Sequence, residues 1–218
     1  MMKAKEIIAR RTAVELKDGD VVNLGIGLPT MVADYLPRGV DVMLESENGF
    51  VGLESVGENQ DSNLVNAGGQ PCGIILGGAM FDSAMSFALI RGGHVDVTVL
   101  GGLQTDQKGN LANWMVPGKM VPGMGGAMDL VIGAKKVIVA MEHCARDGSA
   151  KILKECKLPL TGKGVVDLIV TELGVFRVTK KGLLLTEIAP GVNVETVKGK
   201  TEADLIISDN LIAMKNVS

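Results

Sequence analysis

Glu45 and Glu47 carry the sharpest chemical signal in this chain. They lie in the run from Val40 to Glu47, where Val40, Val42 and Leu44 share one face of a strand pattern and period two places Met43, Glu45 and Glu47 on the other. Asn48-Gly49 then turns the chain. Two carboxylates on one face of a strand end stand either in solvent or in a site, and in a site such a group acts as a general base or a nucleophile. Glu47 is the better placed, beside the turn where a strand delivers side chains into a crevice.

Glycine-rich turns supply the second signal. Gly25-Ile26-Gly27-Leu28-Pro29-Thr30 follows a short apolar run, Val21 to Leu24, and suits close passage of a ligand, with Asn23 as a polar hook. It starts like a dinucleotide fingerprint, but Thr30 occupies the third glycine position, which argues against a nicotinamide site. Gly123-Met124-Gly125-Gly126 precedes a helical pattern, and its N–H groups suit an oxyanion or a phosphate. Gly118-Lys119 and Gly162-Lys163 lack the remaining residues of a phosphate-binding P-loop, although Lys119 is suited to meet a phosphate or carboxylate. Glu142-His143-Cys144 looks like a catalytic cluster, yet neighbours on a strand point to opposite faces and cannot act together. Met120, Met124 and Met128 read as core or gap filling.

These residues need elements to position them. The pattern predicts a helix over 3–16 with Arg10 and Arg11 between its apolar positions, a strand at Val21–Leu24, and a helix-like segment ended by Pro37. A helix capped by Asp82 runs through Ile90 and stops at Gly92-Gly93, and Val95, Val97 and Val99 mark a strand. A long loop runs from Gly101 to residue 126, then come a helix near 127–134, a strand at Val137–Met141 and a hairpin about Lys180-Lys181-Gly182. Alternating strands and helices imply one α/β unit over residues 1–218, an open, mostly parallel sheet flanked by helices with a C-terminal hairpin. Its ligands belong beyond the carboxyl ends of the strands, where the glycine turns and Glu47 all fall.

Composition narrows the function classes. The 29 glycines among 218 residues follow no collagen or linker period, so they belong to loops of a packed protein with an aliphatic core. A net charge of −3 without basic clusters argues against nucleic acid. Cys72, Cys144 and Cys156 are far apart and only His94 and His143 accompany them, so no metal site is expected and free thiols in a reducing cytoplasm are. No signal peptide or membrane span is expected.

Leu44-Glu45-Ser46-Glu47-Asn48-Gly49, Asn23 to Pro29, and Gly123 to Asp129 together resemble the B (beta) subunit of family I CoA-transferases. The likeness runs over nearly the whole chain, through Ala112-Asn113-Trp114 and Leu158-Pro159-Leu160-Thr161. Ser-Glu-Asn-Gly is specific for the acetoacetate, butyrate and acetate types. The resemblance implies that Glu47 attacks an acyl-CoA thioester to give an acyl-glutamyl anhydride. The released CoA thiolate then converts this to a glutamyl-CoA thioester, and an incoming carboxylic acid runs the sequence backward. It further implies that the Gly126 N–H serves the oxyanion hole, and that Asn23, Gly25, Gly27, Gln104, Asn113 and Lys119 lie along CoA. CoA is then a co-substrate with no tightly bound cofactor, and the partner is an A (alpha) subunit in a heterotetramer.

Two positions depart from the family. Glu45 stands where members usually carry Gln or His, which puts a second carboxylate on the nucleophile's side, able to raise the pKa of Glu47 if it points inward. Gly69 stands where some members carry Lys, so one contact to CoA is missing. Two rival readings are a sugar-phosphate isomerase on a related sheet, with a glutamate base and a glycine loop for phosphate, and a non-catalytic acyl-CoA binding subunit.

Overall fold

A computed structural model describes residues 2–57, 61–119, 121 and 123–217. Helix α1 (Ala4–Ala13) is followed by β1 (Val21–Leu24), a 3₁₀ helix (Leu28–Tyr35), β2 (Met43–Ser46), β3 (Phe50–Glu54) and β4 (Gly73–Met80). Then come α2 (Ser83–Arg91), β5 (Val97–Leu100), β6 (Gln104–Asp106), β7 (Leu111–Ala112), α3 (Ala127–Gly133), β8 (Lys136–Ala140) and β9 (Ile152–Leu153). Strands β10 (Leu168–Val170), β11 (Gly174–Thr179) and β12 (Gly182–Ile188), helix α4 (Val194–Gly199) and strand β13 (Leu205–Ala213) complete it.

Ten strands form one sheet in the order β13-β12-β11-β10-β8-β5-β1-β2-β3-β4. The central five, β10-β8-β5-β1-β2, are all parallel, and antiparallel pairs extend the sheet on both sides. The parallel centre is two-sided, as its apolar runs require. Along β8, Val137 and Val139 enter a core that includes Ile90 of α2 and Leu130 of α3. Ile138 and Ala140 enter another that includes Ile8 and Ala13 of α1.

Strand β1 lies between β2 and β5, so the chain leaves it toward one side of the sheet and returns on the other. Such a reversal opens a crevice at the carboxyl ends of the strands. Asn23 of β1 and Glu45 of β2 are paired in register there.

Much of the expected layout is present: β1, the Asp82-capped α2, α3, and the hairpin of β11 and β12. The differences have physical causes. The 101–126 stretch is not one loop, since β6 and β7 pair with each other and β6 with β9 in a three-stranded sheet. Its tight turn is built on buried Asp106, whose carboxylate accepts from the backbone of Lys108 and Asn110 and from the Asn110 side chain. Strand β4 escapes the alternation rule because Gly77-Gly78 interrupts it and its burial does not alternate. The hairpin does not end the sheet, since β13 adds in parallel beside β12. Met128 is half exposed and not core, and Met120 lies outside the described residues. Arg11 is buried and not on a polar face, because Glu187 of β12 receives its guanidinium.

Candidate active site

The turn after β2 is compact and places the Glu47 side chain. Gly49 N–H closes it on the Ser46 carbonyl at 2.9 Å, and the Gly49 carbonyl accepts from Phe81 N–H at 2.8 Å. Gly49 has φ +132°, and a Cβ there would collide with the Phe81 carbonyl, so only glycine turns the chain here. Ser46 Oγ donates to Asn48 Oδ1 at 2.6 Å and accepts from Ala67 N–H at 3.0 Å. Asn48 Nδ2 donates to the Val65 carbonyl at 2.7 Å. The two residues flanking Glu47 thus tie its turn to the 65–67 segment, and Glu47 itself stays half-buried.

Glu47 lines a cavity of about 430 Å³, together with Gly25, Glu45, Ser46, Asn66 and Gly68 among others. Asn23, buried on β1, donates from Nδ2 to Glu47 Oε2 at 3.1 Å and to Glu45 Oε2 at 2.8 Å. Ser86 of α2 donates to Glu45 Oε1 at 3.0 Å. Gly126 stands against the other side of Glu47, since a Cβ built on it would lie 3.2 Å from Glu47 Cγ and 3.5 Å from its Oε1. Gly25 makes its own close approach, with N–H to the Val99 carbonyl at 2.8 Å.

Glu45 points inward. Burial is the main cause that pushes its carboxyl up to about 7, with the charge of Glu47 adding to it and the hydrogen bonds from Asn23 and Ser86 opposing it.

The structure therefore gathers Glu47, Glu45, Asn23, Gly25 and Gly126 in one place. Gly27, at φ +95°, shapes the entry to the 3₁₀ helix and does not line the cavity. Gln104 accepts at Oε1 from the N–H groups of Lys157 (2.9 Å) and Leu158 (3.0 Å). Asn113 donates from Nδ2 to the Gly101 carbonyl at 3.1 Å and accepts from Thr161 Oγ1 at 2.6 Å. Neither residue lines the cavity, nor does exposed Lys119. Gly69 has φ +72° in a turn closed by its N–H on the Asn66 carbonyl; a lysine there would be strained.

Sequence reasoning missed Ser86, Ser46, Asn48 and Asn66. Ser86 was the most legible of these, a polar residue within the apolar stretch Ala84 to Ile90 of α2. His143 is built into the core and not into the cavity. His143 is fully buried, its two ring nitrogens lie 3.0 Å from Thr171 and Thr201 hydroxyls, and burial lowers its pKa to about 4. Cys72, Cys144 and Cys156 are free thiols. Among the described residues no group of three or more His, Cys, Asp or Glu side chains is placed to hold a metal, and no helix is long and apolar enough to cross a membrane.

Glu47 is thus a half-buried carboxylate held by an amide at the carboxyl end of a parallel sheet, with a glycine backbone against it, an arrangement that suits a general base or a nucleophile. The chain belongs to the coenzyme A transferase family, whose model matches residues 5–200. It is 66% identical over 215 residues to the acetate CoA-transferase subunit beta of Haemophilus influenzae, covering 98% of this chain and 96% of that one. Among solved structures it is similar to the acyl-CoA transferase YdiF of Escherichia coli O157:H7. The apoenzyme matches with a TM-score of 0.80 at 26% identity, over 98% of this chain and 44% of that one. The thioester complex of that enzyme with CoA matches at 0.74 and 26%, over 99% of this chain and 44% of that one. The chain thus spans less than half the length of that enzyme.

Proposed function

We propose that this chain, as one unit over residues 1–218, is the glutamate-bearing subunit of a two-subunit transferase. It moves CoA between an acyl-CoA and a short carboxylic acid such as acetate, butyrate or acetoacetate. The observation that carries the reading is Glu47: cavity-lining, half-buried, held by Asn23 and backed by Gly126. The relative named for acetate transfer supports the acid class, and its designation as subunit beta supports a separate alpha subunit, with a heterotetramer as the assembly. That the chain spans 44% of YdiF leaves room in that enzyme for a second unit of similar size.

Glu47 carboxylate adds to the thioester carbonyl, and the C–S bond breaks to release CoA thiolate and an acyl-glutamyl anhydride. The thiolate then adds to the glutamyl carbonyl, and the donor acid leaves as its carboxylate with one former Glu47 oxygen. Charge balances without ATP or an added proton, and an acceptor carboxylate reverses both steps. Asn23 Nδ2 orients the attacking oxygen, and the Gly126 N–H is assigned to the oxyanion. Both intermediates hydrolyse, so the site must exclude water. Gly25, which lines the cavity, is assigned to CoA as co-substrate, and Gly27, Gln104, Asn113 and Lys119 to the part of CoA that would extend outside the cavity.

The test is peptide mass spectrometry after the chain and its partner subunit are incubated with acetyl-CoA. The peptide holding Glu47 is expected to gain CoA through a hydroxylamine-sensitive bond; an unmodified peptide in a sample that has consumed donor rejects the mechanism. The cytoplasm is the proposed compartment.

A further inference from the structure

Glu45 has no role in the transfer steps, yet it is built into their centre. It is 4% exposed and lies on β2, two residues before Glu47 of the following turn. The two carboxylates share one amide. Asn23 Nδ2 has two hydrogens and donates one to each acid, at 2.8 Å to Glu45 and 3.1 Å to Glu47. The groups that meet Glu45 from neighbouring elements are neutral: Asn23 on β1, with Thr98 of β5 behind it, and Ser86 on α2. Arg91 of α2 and Asp129 of α3 pair with each other at 2.7 Å. The charge that acts on Glu45 is that of Glu47.

On the reading proposed above, Glu47 is an anion when free and uncharged as a thioester. We infer that Glu45 is a proton-linked positioning residue: through the shared Asn23 amide it keeps a proton while Glu47 is an anion and releases it when Glu47 carries CoA. The transfer itself neither takes up nor frees a proton, because the negative charge of Glu47 departs with the donor carboxylate. Burial, the main cause that raises the Glu45 carboxyl, remains, but the repulsion from Glu47 disappears and Asn23 has a single anionic acceptor left, so both changes favour partial loss of the Glu45 proton to water. When the acceptor acid regenerates free Glu47, Glu45 takes a proton back. Negative charge on the Asn23 amide thus shifts toward Glu45 when Glu47 carries CoA, so that the amide keeps an anionic acceptor through the cycle.

The direction follows from linkage. With Glu47 ionised Glu45 titrates at about 7, and with Glu47 neutral it titrates lower, so release is largest between the two midpoints, just below pH 7. At higher pH Glu45 is ionised in both states, and at much lower pH it is protonated in both.

The experiment is a single turnover of the complex with its partner subunit and excess acetyl-CoA, in weak buffer with a pH indicator. CoA on the Glu47 peptide is quantified in the same samples. About a quarter to a half of a proton is expected per adduct, for a fall of roughly half to one pH unit in the Glu45 midpoint. Glu45→Gln still presents an acceptor to Asn23 and is expected to acquire CoA with no proton released. Ser86→Ala removes a donor that favours the ionised form, so the pH of maximal release should rise. Proton uptake in place of release, or equal release from wild type and Glu45→Gln, overturns the inference while leaving the covalent mechanism standing. Absence of the adduct from the wild-type complex overturns the mechanism and this inference with it.

Discussion

Two glutamates are buried in this sheet, Glu187 on β12 and Glu45 on β2, and they differ in what meets them. Glu187, 5% exposed, receives Arg11 Nε and Nη2 at 2.6 Å each. Arg11 Nη2 also reaches Glu15 at 2.8 Å, and Glu15 in turn holds Lys136. Burial works to raise the Glu15 carboxyl, but hydrogen bonds from Lys136 and Arg11 prevail and hold it below its usual range. Glu45 is equally buried and receives only an amide and a hydroxyl, with a second carboxylate in place of a cation. In the first region charge is neutralised to fasten α1 to the far half of the sheet. In the second no cation meets the two carboxylates, which stand beside a cavity, as the proposed transfer requires.

If that division is right, substitutions in the two regions should separate activity from stability. The largest effect belongs to Glu47→Ala, which is expected to lower CoA transfer by about 10⁴-fold or more with little change in thermal midpoint. A coupled assay with scanning calorimetry checks it, and normal turnover would remove the site from consideration. Next is Arg11→Met, which strands buried Glu187 without a cation. Unfolding free energy should fall by roughly 3–5 kcal/mol in urea titration, while the folded fraction keeps its activity. A loss too small to measure would show that the cluster fastens nothing.

Glu45→Gln probes the reverse case. The folded state holds the Glu45 proton up to about pH 7, whereas the unfolded chain loses it near 4.5. Wild-type stability contributed by this group is therefore present at low pH and is lost as pH rises between those values. The variant should gain on wild type between pH 5 and pH 8, by at most ~3 kcal/mol, and equal urea midpoints at both values would show that Glu45 titrates normally. Gly126→Ala should have the smallest effect, lowering kcat by roughly ten- to a hundredfold through displacement of the Glu47 side chain, with stability nearly kept. An unchanged kcat would show that the added Cβ leaves the Glu47 carboxylate in place.

Strands β1, β5 and β8 and helix α2 were legible because their signals are local: apolar runs of β-branched residues, an Asp N-cap, a Gly-Gly stop; β10 was not read from the sequence. Glu47 was legible as well, since a carboxylate at a strand end before Asn-Gly needs no long-range information to stand out. Strand β4 was not, because this antiparallel edge strand is rich in glycine and shows no clear period, and short β3 pairs with it. The buried state of Arg11 was also hidden, since its partner Glu187 lies 176 residues away. For Ser86 a clue existed in its apolar helix, but which acid it meets depends on how α2 packs over β2.

Order along the chain determined the candidate carboxylate at a strand end, the parallel α/β centre and the glycine turns, because these follow from periodicity and backbone sterics within a few residues. Tertiary structure alone decided that Glu45 and Glu47 share one amide, that Glu187 has a guanidinium and Glu45 does not, and that Gly126 closes on Glu47. The reason is that the charge state of a buried acid depends on burial and on the groups within hydrogen-bond reach, and chain folding sets both.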